Sequence, residues 1–133
     1  MLARVETPVV VGSIIGGRYE VLYEVGRGGM AVVFAARPLP GPAATVAVKV
    51  LHSEGQDPNL LRRFAREARV VAGLKTQHVC RVFDVSEGSD TTAPYMVMEL
   101  LVGRDLENVV AADGALSMAD ATWYVLQACE ALV

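Results

Sequence analysis

The run Val46-Ala47-Val48-Lys49-Val50-Leu51 sets one lysine among five apolar residues. Such a run reads as a strand continuous enough to be covered on both faces, with Ala47 and Leu51 on the lysine's own side. An ammonium enclosed without a partner is expensive, so Lys49 should meet a carboxylate, a phosphate or both. The alternative is an edge-strand lysine whose head reaches water along its apolar stem. Lysine is also scarce here. Twelve residues are Lys or Arg, yet only Lys49 and Lys75 are lysines, so a lysine inside a strand calls for a reason.

The neighbours of this strand define the rest of the fold. Tyr19, Val21, Tyr23 and Val25 alternate with more polar residues, as a half-buried strand does. Gly26, Gly28 and Gly29 impose a turn, and Ala31 to Ala36 returns as a second apolar strand. Pro38, Pro40, Gly41 and Pro42 mark a loop before the third strand at residues 45–51. Asp57-Pro58 opens a helix with an N-cap side chain and proline at the first helical position, running to about Lys75. Val79 to Val85 and Tyr95 to Leu101 are two more strands, joined by a polar turn over residues 86–94. A short helix follows around residues 105–112. Ser117 with Asp120 makes a capping box for a last helix from Met118 to the end. Three strands, a helix, two strands and two helices suit an α+β fold, an antiparallel sheet with helices on one side. Residues 1–17 show no clear period and read as a flexible lead-in.

Composition bounds the possibilities. The 133 residues make room for one domain at most. At 53% hydrophobic and 20% charged, the chain can bury a core. No apolar run reaches the roughly 20 residues that a spanning helix needs. The best candidate, Thr7 to Ile15, is interrupted by Pro8, Gly12 and Ser13 and lacks the pattern of a secretory signal. A net charge of −3 argues against general affinity for nucleic acid or anionic membrane. Cys80 and Cys129 are two and far apart, which fits a reduced, cytoplasmic chain better than a disulfide framework.

Two further features bear on chemistry. Gly26-x-Gly28-Gly29 between two strands lets backbone N–H groups point at an anion without Cβ obstruction. An ordinary tight hairpin would look the same. A dinucleotide fold would need a helix straight after the glycines, whereas Val32, Val33 and Phe34 continue as a strand; no Gly-Lys-Ser/Thr is present either. Glu67 is the second feature. At 3.6 residues per turn it shares a helix face with Leu60, Phe64, Val71 and Leu74. A lone acid in an apolar stripe is expected to pack on the sheet and to pair with Lys49. The competing reading is an exposed glutamate paired locally with Arg63 or Arg66. His78 and Cys80 are too few and badly spaced for zinc, and His52 is expected to face solvent.

Together these residues make the chain resemble the N-terminal lobe of a protein kinase, of the eukaryotic-type serine/threonine kinases of bacteria. Val25-Gly26-Arg27-Gly28-Gly29-Met30-Ala31-Val32-Val33 is similar to the family's Gly-rich loop over the ATP phosphates. Val46-Ala47-Val48-Lys49 resembles the strand whose lysine holds the α- and β-phosphates. Arg66-Glu67-Ala68 falls where the family places the glutamate that pairs with it. Met96-Val97-Met98-Glu99-Leu100-Leu101 resembles the last strand and hinge. The resemblance implies a gatekeeper at Met98, adenine contacts from the Glu99 carbonyl and Leu101 N–H, and an apolar roof of Val33 and Ala47. Ala31 stands in place of the third loop glycine, and Thr76-Gln77-His78 replaces the more usual turn after the helix.

The implied architecture is a five-stranded antiparallel sheet with one packed helix over residues 18–98. A hinge at 99–103 and the start of the C-terminal lobe at 104–133 would come next. The family's catalytic loop and Asp-Phe-Gly motif do not occur in these residues, so the base and both magnesium ligands are not among them. The implied function is the ATP-binding portion of an enzyme that transfers the γ-phosphoryl group of ATP, with Mg, to a protein serine or threonine hydroxyl. Lys49 and Glu67 would form its phosphate-orienting pair, and the 133 residues alone are expected to be inactive. Such a piece would be completed by a C-terminal lobe. The alternative is a native, catalytically inactive module that binds nucleotide or docks on another kinase chain, and a third reading is an inert fragment that aggregates.

Overall fold

The apolar alternation beginning at Tyr19 becomes one antiparallel sheet in the computed structural model, which describes residues 9–52, 57–89 and 91–133. The first eight residues of the expected lead-in and position 90 of the polar turn lie outside the described residues. The strands are β1 (Ile14–Ile15), β2 (Tyr19–Arg27), β3 (Ala31–Pro38), β4 (Val46–Leu51), β5 (Val82–Ser86) and β6 (Tyr95–Glu99). The helices are α1 (Pro58–Ala72), α2 (Leu106–Asp113) and α3 (Met118–Ala131). Sheet order is β1-β2-β3-β4-β6-β5, every pair antiparallel.

The sheet therefore has six strands where five are expected. The extra one, β1, lies inside the expected lead-in. Ile14 pairs with Glu20 and Ile15 with Tyr19, and Ile15 is only 4% exposed. Two residues carry no periodicity, so this strand is defined by its partner rather than by its own sequence. Gly16, at φ +58°, lets the chain pass beneath Tyr95: a Cβ there would sit 2.1 Å from the Tyr95 hydroxyl oxygen.

Paired residues share a face, so the registers sort the sheet into two sides. One side carries the core: Ile15, Tyr19, Val21, Val32, Phe34, Val46, Val48, Val50, Tyr95 and Val97 are all buried, with Val9 and Ala93 packed against them. Each such aliphatic side chain contributes roughly 1.5–3 kcal/mol when fully buried. Tyr19 and Tyr95 meet edge to face at 6.2 Å. The Tyr19 hydroxyl donates to Asp84, and the Arg18 guanidinium lies over the Tyr19 ring. Burial, reinforced by the Asp84 charge, raises the Tyr19 hydroxyl above the usual phenol range.

The expected alternation in β2 holds only for its first half. Tyr19 and Val21 are buried, whereas Tyr23 and Val25 are exposed. Two register shifts, between Val21 and Tyr23 and between Glu24 and Gly26, explain the change. Each extra residue flips the parity of the strand beyond it and increases the local twist.

The helix starts are where their caps put them. The Asp57 side chain accepts from the Asn59 N–H with Pro58 beginning α1, and Ser117 accepts from the Asp120 N–H at the start of α3. α1 ends at Ala72, capped by Gly73, rather than near Lys75. The chain divides into two units. One takes in the described residues up to Gly73 with Arg81–Leu100; the other joins Leu74–Cys80 to Leu101–Val133. In the second unit the His78 ring meets Glu130 of α3 at 2.7 Å. Strand β5 accordingly starts at Val82, three residues later than the sequence suggests, because residues 74–80 belong with the helices. Among the described residues no helix is long and apolar enough to cross a membrane.

Candidate functional site

The second side of the sheet in the first unit carries Gly26, Val33, Ala47, Lys49 and Met98 of the expected site residues. Across the ladders, Val33 pairs with Lys49 and Lys49 with Met96, while Ala35 pairs with Ala47 and Ala47 with Met98. Gly26 joins this face through its pairing with Val33. Ala35 and Ala47 are buried, and Val33, Lys49, Met96 and Met98 are half-buried. Small residues at the centre and longer ones around them leave a shallow apolar floor with one ammonium on it. Met96 is a member of this face that the sequence patterns do not single out. Its signal was available, since a residue opposite Lys49 in an antiparallel ladder must share its face.

The glycine turn lies at the end of the β2–β3 hairpin. Gly28 N–H donates to the Ala31 carbonyl at 2.9 Å, closing the turn. Val25 and Met30 are exposed and Ala31 is buried. Arg27 is exposed and held by Glu24 at 2.6 Å. None of Gly26, Gly28 and Gly29 has a positive φ. A Cβ at Gly26 or Gly29 would meet nothing within 4 Å, and one at Gly28 would only touch the Ala31 carbonyl at 3.7 Å. The chain's own conformation therefore does not require glycine at any of the three. What glycine leaves there is room for something outside the chain, while the Gly28 N–H is taken up by the Ala31 carbonyl.

His52 differs from the expectation that it faces solvent. It is half-buried, its N–H donates to the Met30 carbonyl, and its ring Nε2 lies 3.3 Å from the Gly28 carbonyl oxygen.

Glu67 departs most from expectation. Its side chain is 71% exposed and lies 3.8 Å from Arg63, one helical turn away. This is the local pairing of an exposed helix glutamate, and the expected buried pair with Lys49 is not formed. The reason lies in which face of α1 is covered. The buried residues are Ala65 and Ala68, and the helix lies against β5, at the edge of the sheet, rather than over β4. Glu67 is one residue from Ala68 and so about 100° around the helix from it. Arg69 of the same helix pairs with Glu87 at 2.6 Å, just beyond β5. Among the described residues Lys49 makes no ion pair.

The last expected residues lie at the end of the sheet and beyond it. Glu99 ends β6, with its N–H on the Arg81 carbonyl and its carboxylate accepting from the Arg81 N–H. Leu101 belongs to the second unit and is 66% exposed.

Comparison with known proteins gives a consistent answer. Residues 19–133 match the family described as the protein kinase domain. The chain is 41% identical over 123 residues to the probable serine/threonine-protein kinase PknB of Corynebacterium glutamicum, covering 90% of this chain and 19% of that protein. It is 36% identical over 121 residues to the serine/threonine-protein kinase PknB of Mycobacterium leprae, covering 89% and 19%. The chain thus spans about a fifth of the length of these curated relatives. Among solved structures, the kinase domain of Mycobacterium tuberculosis PknI superimposes with a TM-score of 0.80 at 26% identity, over 94% of this chain and 50% of that one.

Proposed function

The chain belongs to the protein kinase domain family, and on that premise we propose that it is the ATP-binding portion of a serine/threonine protein kinase. The observation that carries this reading is the half-buried Lys49 without an ion-pair partner among the described residues, on the same face as Gly26, where the chain's own conformation does not require glycine. A fixed cation beside open backbone amides is a site for polyphosphate. The alanine and methionine floor beside it suits a flat heteroaromatic ring.

In this proposal Val33, Ala47 and Met98 hold the adenine, and Lys49 holds the α- and β-phosphates. The loop amides from Gly26 to Ala31 meet the β- and γ-phosphates, apart from the Gly28 N–H, which closes the turn on the Ala31 carbonyl. ATP supplies the phosphoryl group, while the chain supplies position and charge stabilisation. The donor set fits that task, since it offers cationic and N–H donors to the phosphates and no carboxylate. Glu67 would join Lys49 only after α1 turns so that its Glu67 side faces the sheet; in the arrangement described it neutralises Arg63 instead. Transfer of the phosphoryl group to a protein serine or threonine hydroxyl belongs to the proposal too.

The test is ATP binding by the chain and by Lys49→Met. Loss of one charge-assisted donor to phosphate is expected to weaken ATP at least about tenfold, with the unfolding midpoint unchanged or raised because an unpaired charge is removed. Equal affinity in both proteins would remove Lys49 from the site.

A further inference from the structure

The turn after β2 is held from outside by one side chain. His52 stands one residue past β4, and its backbone N–H donates to the Met30 carbonyl at 2.8 Å. This places its ring beside the turn, with Nε2 3.3 Å from the Gly28 carbonyl oxygen. A carbonyl oxygen only accepts, so the hydrogen of this bond sits on Nε2.

The peptide so held joins Gly28 to Gly29. In a trans peptide the C=O and the adjoining N–H point in opposite directions. Fixing the Gly28 carbonyl toward His52 therefore fixes the Gly29 N–H away from it. A peptide between two glycines is the one least restrained by its own side chains, and a Cβ at Gly29 would meet nothing within 4 Å. The orientation of this peptide is set by the bond from the Gly28 N–H to the Ala31 carbonyl that closes the turn, together with the His52 contact on the Gly28 carbonyl.

We infer that His52 is a positioning residue of the nucleotide loop: it latches the Gly28–Gly29 peptide and so presents the Gly29 N–H outward as a phosphate donor. The inference rests on the proposed ATP site for the identity of the anion, and on the geometry alone for the latch. It assigns His52 a role that neither its position outside the glycine run nor its residue type announces.

The test uses the 133-residue chain labelled with 15N, with its Gly29 amide followed by NMR and ATP as the titrant. In His52→Ala the Gly29 amide resonance is expected to shift, because its peptide loses the contact that orients it. ATP affinity should fall roughly three- to tenfold, the span expected from one net hydrogen bond. In His52→Gln, whose side-chain amide also donates, both should return toward the wild-type values. Unmoved Val48 and Val97 amides identify these as local effects in a folded sheet. A Gly29 amide unchanged by His52→Ala overturns the latch. A shifted amide with wild-type ATP affinity overturns its positioning role. A wild-type chain that takes up no ATP counts against the nucleotide reading only; the Gly29 response then decides the latch by itself.

Discussion

The two faces of the sheet are built from alternate residues of the same strands, and they are filled on different principles. In β4, Val46, Val48 and Val50 enter a core of β-branched and aromatic side chains, while Ala47 and Lys49 between them face a floor of small and half-buried residues. Nothing in backbone geometry distinguishes the two sets. What differs is how completely each position is satisfied within the chain. The core face has its partners, including the Tyr19 hydroxyl on Asp84. The other face has an ammonium without an ion pair among the described residues, and Gly26, where the conformation does not call for glycine. Incompleteness of this kind marks where an external group belongs, since an unpaired charge and an unfilled turn both cost stability without return inside the chain.

The contrast can be broken most severely on the filled side. Phe34→Ala should cost about 3–5 kcal/mol by opening a cavity in the core, read as a lowered midpoint in chemical denaturation. A loss under about 1 kcal/mol would mean that the core does not lie on this face. Next come the glycines, which separate the faces residue for residue. Gly16→Ala drives a Cβ into Tyr95 at a positive φ and should cost about 1–3 kcal/mol. Gly26→Ala meets nothing and should leave stability within about 1 kcal/mol of wild type while weakening ATP. Equal losses of stability in the two variants would erase the distinction.

A smaller effect concerns Tyr19, whose hydroxyl is raised by burial and by Asp84. The folded chain holds that proton more tightly than the unfolded chain does. Its contribution is therefore complete below the ordinary phenol value of about 10 and is lost as pH rises from there through the folded value. Thermal unfolding of the wild type should fall more steeply than that of Tyr19→Phe across this alkaline window. Parallel curves would deny the coupling. Smallest of all is Arg63→Ala. An exposed pair one helical turn apart contributes about 0.5 kcal/mol or less, so the melting curve should barely move, while Glu67 loses its local partner. A loss well above that figure would give the pair a structural weight that its exposure denies.

The parts of this arrangement legible in the sequence are those where several neighbours repeat one message. The Val46–Leu51 run, the turn glycines and the Asp57 and Ser117 caps each produced the element expected of them. The period of two puts Ala47 and Lys49 on one face of β4, whereas the roles of Val33 and Met98 are implied by the family resemblance and their place on that face comes from the registers of β3 and β6. Other features were illegible for physical reasons. A two-residue strand such as β1 has no period to detect. The covered face of α1 is lined by Ala65 and Ala68, and small residues weigh little beside Leu60, Phe64 and Val71 in a stripe defined by size, so the sequence pattern puts Glu67 on the covered side. His52 acts through a turn 24 positions earlier in the chain, a relation that no local pattern encodes.

The position of β4 has a consequence for tolerated change in chain length. It is the strand whose alternation serves both faces, and it is hydrogen-bonded on both sides, to β3 and β6. Inserting or deleting a single residue within Val46–Leu51 would exchange the two sets: Lys49 would turn into the aromatic core and a valine would replace it on the open floor. Both flanking ladders would resist any compensating slide. The loop between β3 and β4, rich in proline and exposed, carries no such double duty and can lengthen at an entropic cost that grows only slowly. Variation in length among chains of this design should therefore collect before Val46 and stop there.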